Sequence, residues 1–175
     1  MSDTPEFSRP FDIRSVSEKP VRLEANDSEC AALATRFGLV AVHSLEAALT
    51  LIVEGEEIAA TGPMRAAIVQ SCAVSGDDLP VDIEEDVSVR FVPLAGMEAS
   101  EEDEEIELDA EDLDDIPYEG TSFDLGEAIA QSLALAIDPF ACGPDADTVR
   151  REQGLIEEGE SDGPLADALK GLRTD

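Results

Sequence analysis

The chain is poor in the residue types that build most catalytic and metal sites. Of its 175 residues, one is His, three are Cys and none is Trp, and aromatic residues make up 4%. A single His removes most Ser/His and Cys/His nucleophile pairs, and the chain has no Gly-x-Ser-x-Gly or Cys-x-x-Cys motif. We therefore expect a protein that is not an enzyme and that holds no cofactor or metal.

Basic residues are scarce as well. Lys and Arg total 11 against 42 Asp and Glu, which gives a net charge of −31 and a pI near 4.1. Such a field repels nucleic acid phosphates and anionic lipid headgroups, and it attracts basic proteins. Direct binding to naked nucleic acid is therefore disfavoured, and a basic protein is the expected kind of partner.

Signals for export or membrane insertion are also missing. The chain has no apolar run of about 18 residues, the length that a membrane helix needs. The segment Met1–Glu6 has neither the basic nor the apolar region of a signal peptide. Cys30, Cys72 and Cys142 are too few and too far apart for a disulfide framework. These observations predict a cytoplasmic protein with no membrane association.

Three segments alternate apolar and polar residues, as strands with one buried face do. They are Leu45–Val53, Val81–Phe91 and, with a looser pattern, Met64–Cys72. Two shorter extended pieces are predicted over Phe7–Val16 and Val21–Leu23. Glycines indicate the connections: Gly55 with Gly62-Pro63 for the first, and a tight hairpin turn at Ser75–Asp78 for the second.

A first helix is predicted over 27–37. Asn26 can cap its start, with Glu29 three residues later as in a capping box, and Gly38 can end it in the left-handed conformation. Cys30 falls on the apolar stripe of this helix and is expected to be a small core residue.

A second helix is predicted over 124–137. Asp124 can cap it, and Glu127 stands at the capping-box position. Apolar residues follow at a spacing of four, and Asp138-Pro139 ends the periodic pattern.

Together these patterns predict an α+β fold, with an antiparallel sheet of about four to six strands and two packed helices. A single domain is expected over 7–140, interrupted by a mobile acidic insertion at 98–115. The remainder, 141–175, is expected to be a flexible acidic tail in which 165–172 can form a short helix.

The acidic insertion is the most charged part of the chain. Of the 22 residues Glu98–Glu119, 13 are acidic and none is basic, so the segment cannot bury enough surface to offset its ordering entropy. It is either a solvated linker or a docking surface that attracts a basic partner electrostatically. The candidate partner-binding residues are Glu101, Glu102, Asp103, Glu104, Glu105, Asp112, Asp114 and Asp115.

Other roles for the acids remain as alternatives. A calcium loop of the EF-hand type needs a Gly at its sixth position, and Asp103–Asp115 has none. A carboxylate cluster in the ordered part could still form a metal-binding module or an enzyme site. The third hypothesis is a soluble domain whose charge serves only solubility.

Three stretches of the sequence carry a family resemblance. Tyr118–Phe140, together with Gln70–Val81 and Val87–Pro93, resembles the YceD-like family of large ribosomal RNA subunit accumulation proteins. The resemblance covers about Phe7–Asp145. The residues that match the family's helix motif are Phe123, Asp124, Leu125, Glu127, Leu133, Leu135 and Pro139.

The resemblance implies a cytoplasmic, non-enzymatic accessory role in large-subunit ribosomal RNA processing or accumulation. It also implies a basic ribosomal protein or a pre-ribosomal particle as the partner. Many relatives carry paired cysteines where this chain has only Cys72 and Cys142. The resemblance therefore brings no metal or redox role to these two residues.

Overall fold

The structure is a computed structural model, which describes residues 5–17, 19–94 and 114–154. Of the acidic insertion predicted at 98–115, only Asp114 and Asp115 belong to the described residues. The short helix predicted over 165–172 lies outside them.

Seven strands and three helices form in the described part of the chain. The strands are β1 (Pro10–Asp12), β2 (Val21–Glu24), β3 (Ala41–Glu54), β4 (Glu57–Ser71), β5 (Asp78–Pro93), β6 (Asp114–Tyr118) and β7 (Ser122–Asp124). The helices are α1 (Asp27–Phe37), α2 (Leu125–Ala136) and α3 (Ala146–Glu152), and a 3-10 turn spans Ile13–Ser15. The predicted α+β class is confirmed.

The main sheet has five strands in the order β2-β3-β4-β5-β6, and β1 pairs with β7 in a separate two-stranded sheet. The β2/β3 and β3/β4 pairs are antiparallel, as predicted. The edge strand β6 is the exception, because it runs parallel to β5. Residues 94–113 lie between these two strands, and a parallel pair needs a connection of about a dozen residues or more.

The connection between β3 and β4 is shorter than predicted. Gly55 (φ 69°) lies in the turn, but Gly62-Pro63 falls inside β4. A Cβ on Gly62 would lie 2.2 Å from the carbonyl oxygen of Ala48, so only Gly allows the neighbouring strand to approach so closely. The prediction that Gly62-Pro63 marks the turn was therefore wrong.

Strand β3 changes its buried face near its start. Val42 pairs with Ile68 and Ser44 with Ala67, so His43 is an extra residue in a β-bulge. The bulge shifts the alternation by one residue, so that both Val42 and Leu45 are buried. His43 itself is exposed.

One aliphatic core joins the sheet to α1 and α2. Alternate residues of the long strands point into it, and both helices contribute one face. Its largest fully buried side chains are Phe7, Phe91, Leu33, Leu45, Leu49, Ile58, Met64, Ile68, Leu125, Ile129 and Leu133. Cys30 is buried among them, as predicted.

Helix α1 has both predicted caps. The Asn26 side chain accepts hydrogen bonds from the amides of Ser28 and Glu29, and the Glu29 carboxylate accepts one from the Asn26 amide in return. Gly38 (φ 66°) ends the helix in the left-handed conformation.

The N-terminal segment is less extended than predicted. In the predicted piece Phe7–Val16, only Pro10–Asp12 forms a strand, and the chain then turns into the 3-10 segment. The Asp12 carboxylate accepts a hydrogen bond from the Arg14 amide at 2.9 Å and so caps this turn. The hydrogen bond to that amide lowers the pKa of Asp12.

The chain divides into two compact units. The first contains residues up to Gln70 and from Pro80 to Asp138, and the second contains Ser71–Leu79 together with the chain from Pro139 onward. In the second unit a turn follows β4, with Gly76 at φ 76°. The described part of the segment predicted as a flexible tail contains α3.

Across residues 5–17, 19–94 and 114–154, every helix is too short or too polar to cross a bilayer.

Candidate functional site

The segment that carries the family motif starts with a tightly held helix cap. The Asp124 carboxylate accepts hydrogen bonds from the amides of Gly126 and Glu127, at 2.9 and 3.1 Å. It also accepts one from the Arg9 amide at 2.7 Å, and the Leu125 amide donates to the Arg9 carbonyl at 3.1 Å. The cap therefore holds α2 and the N-terminal segment together.

Gly126 explains how the N-terminal segment comes so close to α2. A Cβ at this position would lie 2.3 Å from the Phe7 carbonyl oxygen and 2.8 Å from the Arg9 amide nitrogen. No side chain larger than hydrogen fits without moving backbone.

Three ion pairs join α1 to α2 and to the N-terminal segment. The Arg9 guanidinium pairs with Glu29 of the α1 capping box at 2.7 Å. Arg36 pairs with Glu127 at 2.7 Å and with Glu6 at 2.9 Å. The hydrogen bond to Arg36 lowers the pKa of Glu127, and that to Arg9 lowers the pKa of Glu29.

Glu127 thus has a different role from the one its position predicted. The sequence placed it in a capping box, which would require its carboxylate to bond the Asp124 amide. In the structure the carboxylate bonds Arg36 and Gln131 instead. Asp124 alone caps the helix, and Glu127 links α2 to α1.

The apolar residues of the motif divide into a buried set and an exposed one. Leu125 and Leu133 are fully buried, and Phe123 is buried with its ring centroid 4.7 Å from that of Phe91. Leu135 is 80% exposed. Packing in the core accounts for the first three residues, whereas Leu135 lies outside the core.

The edge strand β6 is fixed at both ends. Near its start, Asp115 pairs with Arg90 of β5 at 2.7 Å. At its end, the Tyr118 hydroxyl donates to the Glu56 carbonyl in the β3–β4 turn at 2.6 Å. Burial raises the pKa of Tyr118, so the phenol remains protonated as this bond requires.

Two hollows lie between α2 and the strands β5 and β6. The one at the start of α2 encloses about 530 Å³, and its walls include Asp115, Ile116, Tyr118, Glu119, Glu127 and Gln131. The one at the end of α2 encloses about 300 Å³, and its walls include Glu85, Asp86, Ser88, Asp114, Ser132 and Leu135. We call the two hollows together the acidic groove.

The acidic groove combines negative charge with apolar surface. Asp114, Glu119, Glu85 and Asp86 are all exposed, and among the described residues no Lys or Arg lines either hollow. Leu135 adds an exposed aliphatic side chain at one end. This surface is complementary to a segment that carries basic and apolar side chains.

The structure brings only part of the predicted site together. Asp114 lines one hollow of the acidic groove, and Asp115 lines the other together with Asp124 and Glu127 of the motif. The other predicted partner-binding residues lie outside the described residues: Glu101, Glu102, Asp103, Glu104, Glu105 and Asp112. Pro139 follows α2 at the start of the second unit.

Sequence reasoning missed the groove residues of β5 and the polar residues of α2. Glu85 and Asp86 looked like the solvent face of a strand, and Gln131 and Ser132 like the solvent face of a helix. The available signal was Leu135, an apolar residue out of phase with the buried stripe. Within residues 5–17, 19–94 and 114–154, no three His, Cys, Asp or Glu residues are arranged to hold a metal ion.

Comparison with known proteins gives one match. The chain matches the family "Large ribosomal RNA subunit accumulation protein YceD" over residues 60–172. That range covers more than half of the chain and every residue of the acidic groove. Searches of curated proteins and of solved structures found no match. The chain therefore belongs to the YceD family of large ribosomal RNA subunit accumulation proteins.

Proposed function

We propose that this protein is a non-enzymatic accessory factor in large-subunit ribosomal RNA accumulation, and that it binds a basic protein partner in the acidic groove. The family gives the process, since its members are described as large ribosomal RNA subunit accumulation proteins. The partner is a basic ribosomal protein, free or in a pre-ribosomal particle, and the contact takes place in the cytoplasm.

The main support for the proposal is the distribution of negative charge on the protein. The chain has a net charge of −31, which would repel naked RNA. A role in RNA accumulation is therefore easier to reconcile with a protein contact than with an RNA contact. The acidic groove provides that contact in the segment shared with the family, where acids flank an exposed Leu135.

The first test is recovery of the partner. The full chain, used as bait in a cell extract at low ionic strength, should retain basic large-subunit proteins. Their recovery should fall as salt is raised, because exposed charge pairs are screened within about 10 Å at 0.1 M salt. A bait that retains no ribosomal or RNA-processing protein would contradict the proposed process.

The second test locates the contact. A groove variant carries Glu85→Gln, Asp86→Asn and Glu119→Gln, and a control variant carries Glu24→Gln, Glu46→Gln and Glu54→Gln on β2 and β3. Both variants lose the same charge, so any difference between them reports position and not the overall field. The groove variant should bind about tenfold more weakly, since three exposed charge contacts contribute up to about 1 kcal/mol each.

The two variants also distinguish a failure of the proposed contact surface from a failure of the proposed process. Equal weakening in both would mean that only the total charge matters and that the acidic groove is not the contact surface. Unchanged binding in both, with ribosomal proteins still recovered, would place the contact elsewhere on the chain and leave the process intact.

A further inference from the structure

The turn after β4 holds a cysteine in an unusual setting. The Cys72 sulfur accepts hydrogen bonds from the amides of Gly143 at 3.3 Å and Ser75 at 3.4 Å. Only 4% of the residue is exposed. The hydrogen bonds, led by the one from Gly143 and followed by those from Ser75 and Val74, lower the pKa of the Cys72 thiol to about 6. These hydrogen bonds favour the thiolate form of the sulfur.

The second cysteine of this unit lies beside the first. Residues on both sides of Cys142 bond the turn, because Ala141 accepts from the Ala73 amide at 3.0 Å and Gly143 donates to Cys72. The Cys142 Cα is two bonds from the Gly143 nitrogen, so it lies within roughly 6 Å of the Cys72 sulfur. This distance joins a Cα to a sulfur, whereas a disulfide spans Cα atoms about 4.4–6.8 Å apart. Closing the bond therefore requires the two adjacent segments to adjust and the Cys142 side chain to turn toward the Cys72 sulfur.

The two thiols differ in access. Cys142 is exposed, its thiol donates to the Phe140 carbonyl at 3.2 Å, and the Arg150 guanidinium bonds its sulfur at 3.5 Å. Because Cys142 is exposed and Cys72 is buried, a small disulfide in solution meets the Cys142 thiol first. Cys30, by contrast, lies in the core of the first unit, where burial raises its pKa.

We propose that Cys72 and Cys142 form a reversible thiol pair, in which the exposed Cys142 reacts first with a small-molecule disulfide and the buried Cys72 then closes an internal disulfide. The pair goes beyond the accessory role proposed above and does not depend on it. It rests on the geometry of this chain alone, because the family resemblance implies no redox role for Cys72 or Cys142.

The reaction balances in two exchange steps. The Cys142 thiolate attacks one sulfur of the oxidant, forming a mixed disulfide and releasing one thiol of the small molecule. The Cys72 thiolate then attacks the Cys142 sulfur of that mixed disulfide and releases the second thiol. The two cysteine sulfurs are oxidised, the oxidant is reduced to two thiols, and the two cysteine protons end on those thiols.

The internal disulfide would link the turn after β4 to the segment that precedes α3. These segments already share two hydrogen bonds through Ala73 and Cys72. The bond would replace the thiolate that the Gly143 and Ser75 amides now stabilise. The sulfur of Cys142 must turn away from the Phe140 carbonyl to form it.

The test uses the reduced full chain, oxidised glutathione as the disulfide, and intact-mass measurement with thiol mapping. The wild-type chain should lose the Cys72 and Cys142 thiols and retain no glutathione, with the internal form exceeding the mixed one by more than about tenfold, as expected for neighbouring groups. Cys72→Ser should stop at a glutathione on Cys142. Cys142→Ser should stay reduced, and Cys30 should stay reduced in all three proteins.

Two results would overturn the proposal. One is a wild-type chain that keeps glutathione on Cys142, since it would show that Cys72 cannot reach that sulfur. The other is a Cys142→Ser chain that loses its Cys72 thiol as fast as the wild type does. The closing step should also slow as the pH falls below about 6, because the attacking thiolate of Cys72 becomes protonated. A closing rate that is independent of pH in that range would count against Cys72 as the attacking group.

Discussion

The two ends of helix α2 are held in different ways. At its start, Asp124, Gly126 and Glu127 are fixed by the backbone of the N-terminal segment and by Arg36 of α1. At its end, Leu135 is 80% exposed on the wall of the acidic groove. One family motif thus contains residues that are buried or bonded to other elements, and one residue, Leu135, that is exposed.

This difference shows why a motif should not be assigned one role as a whole. The buried or bonded residues should affect stability when changed, and Leu135 should affect binding. Four substitutions, in order of decreasing effect, test whether the division holds.

The largest effect is expected from Leu133→Ala, with Leu135→Ala as its matched control. Leu133 is fully buried, and removing a buried leucine side chain costs about 2–5 kcal/mol. Leu135→Ala should change the free energy of unfolding by less than about 0.5 kcal/mol. Urea unfolding of both variants measures the contrast, and similar losses would contradict the division.

The next effect is expected from Gly126→Ala. The new Cβ would lie 2.3 Å from the Phe7 carbonyl oxygen, so backbone must move. We expect a loss of about 2–3 kcal/mol, in the range of overpacking. Gly143→Ala is the control, because its Cβ would meet its nearest neighbours only at 3.9 and 4.0 Å. If Gly126→Ala were as stable as its control, the close approach would have no energetic role.

A smaller effect is expected from the cap. Asp124→Ala should cost about 1–2 kcal/mol, because it removes the acceptor of two helix amides. Asp124→Asn keeps an oxygen that can accept these bonds and should recover most of the loss. Thermal unfolding distinguishes the two, and equal losses would indicate that the charge matters more than the cap geometry.

The smallest effect concerns pH. The folded-state pKa of Glu127 is lowered by Arg36, so the pair stabilises the fold above the unfolded pKa near 4.5. This contribution should be lost as the pH falls through the lower, folded value. In Glu127→Gln the stability should change less with pH in this range than in the wild type. Unfolding curves at several pH values measure the difference, and identical pH profiles would show that the pair contributes nothing.

The sequence predicted the parts of the fold that depend on local patterns. The capping box at Asn26 and Glu29, the left-handed Gly38 and the alternating strands all follow from near neighbours in the chain. The bulge at His43 and the place of Gly62 inside β4 could not be predicted, because they depend on the strand alongside. Each of these positions is set by a contact with a residue distant in sequence.

The site was predictable to a similar degree. The cap at Asp124 was expected from the sequence. The ion pair between Glu127 and Arg36 spans 91 residues, so no local sequence pattern indicates it. The parallel pairing of β6 with β5 brings Asp114 and Asp115 next to α2. Only that tertiary arrangement turns acids from three separate elements into one groove.

The most direct test of the account is cross-linking of groove carboxylates to lysines in a cell extract, followed by mass spectrometry. A reagent that joins a carboxylate to an amine without a spacer reports contacts at the distance of an ion pair. We expect Glu85, Asp86 and Glu119 to be joined to lysines of a basic large-subunit protein. Cross-links confined to Glu24, Glu46 and Glu54, or to proteins outside the ribosome and its assembly, would contradict the central claim.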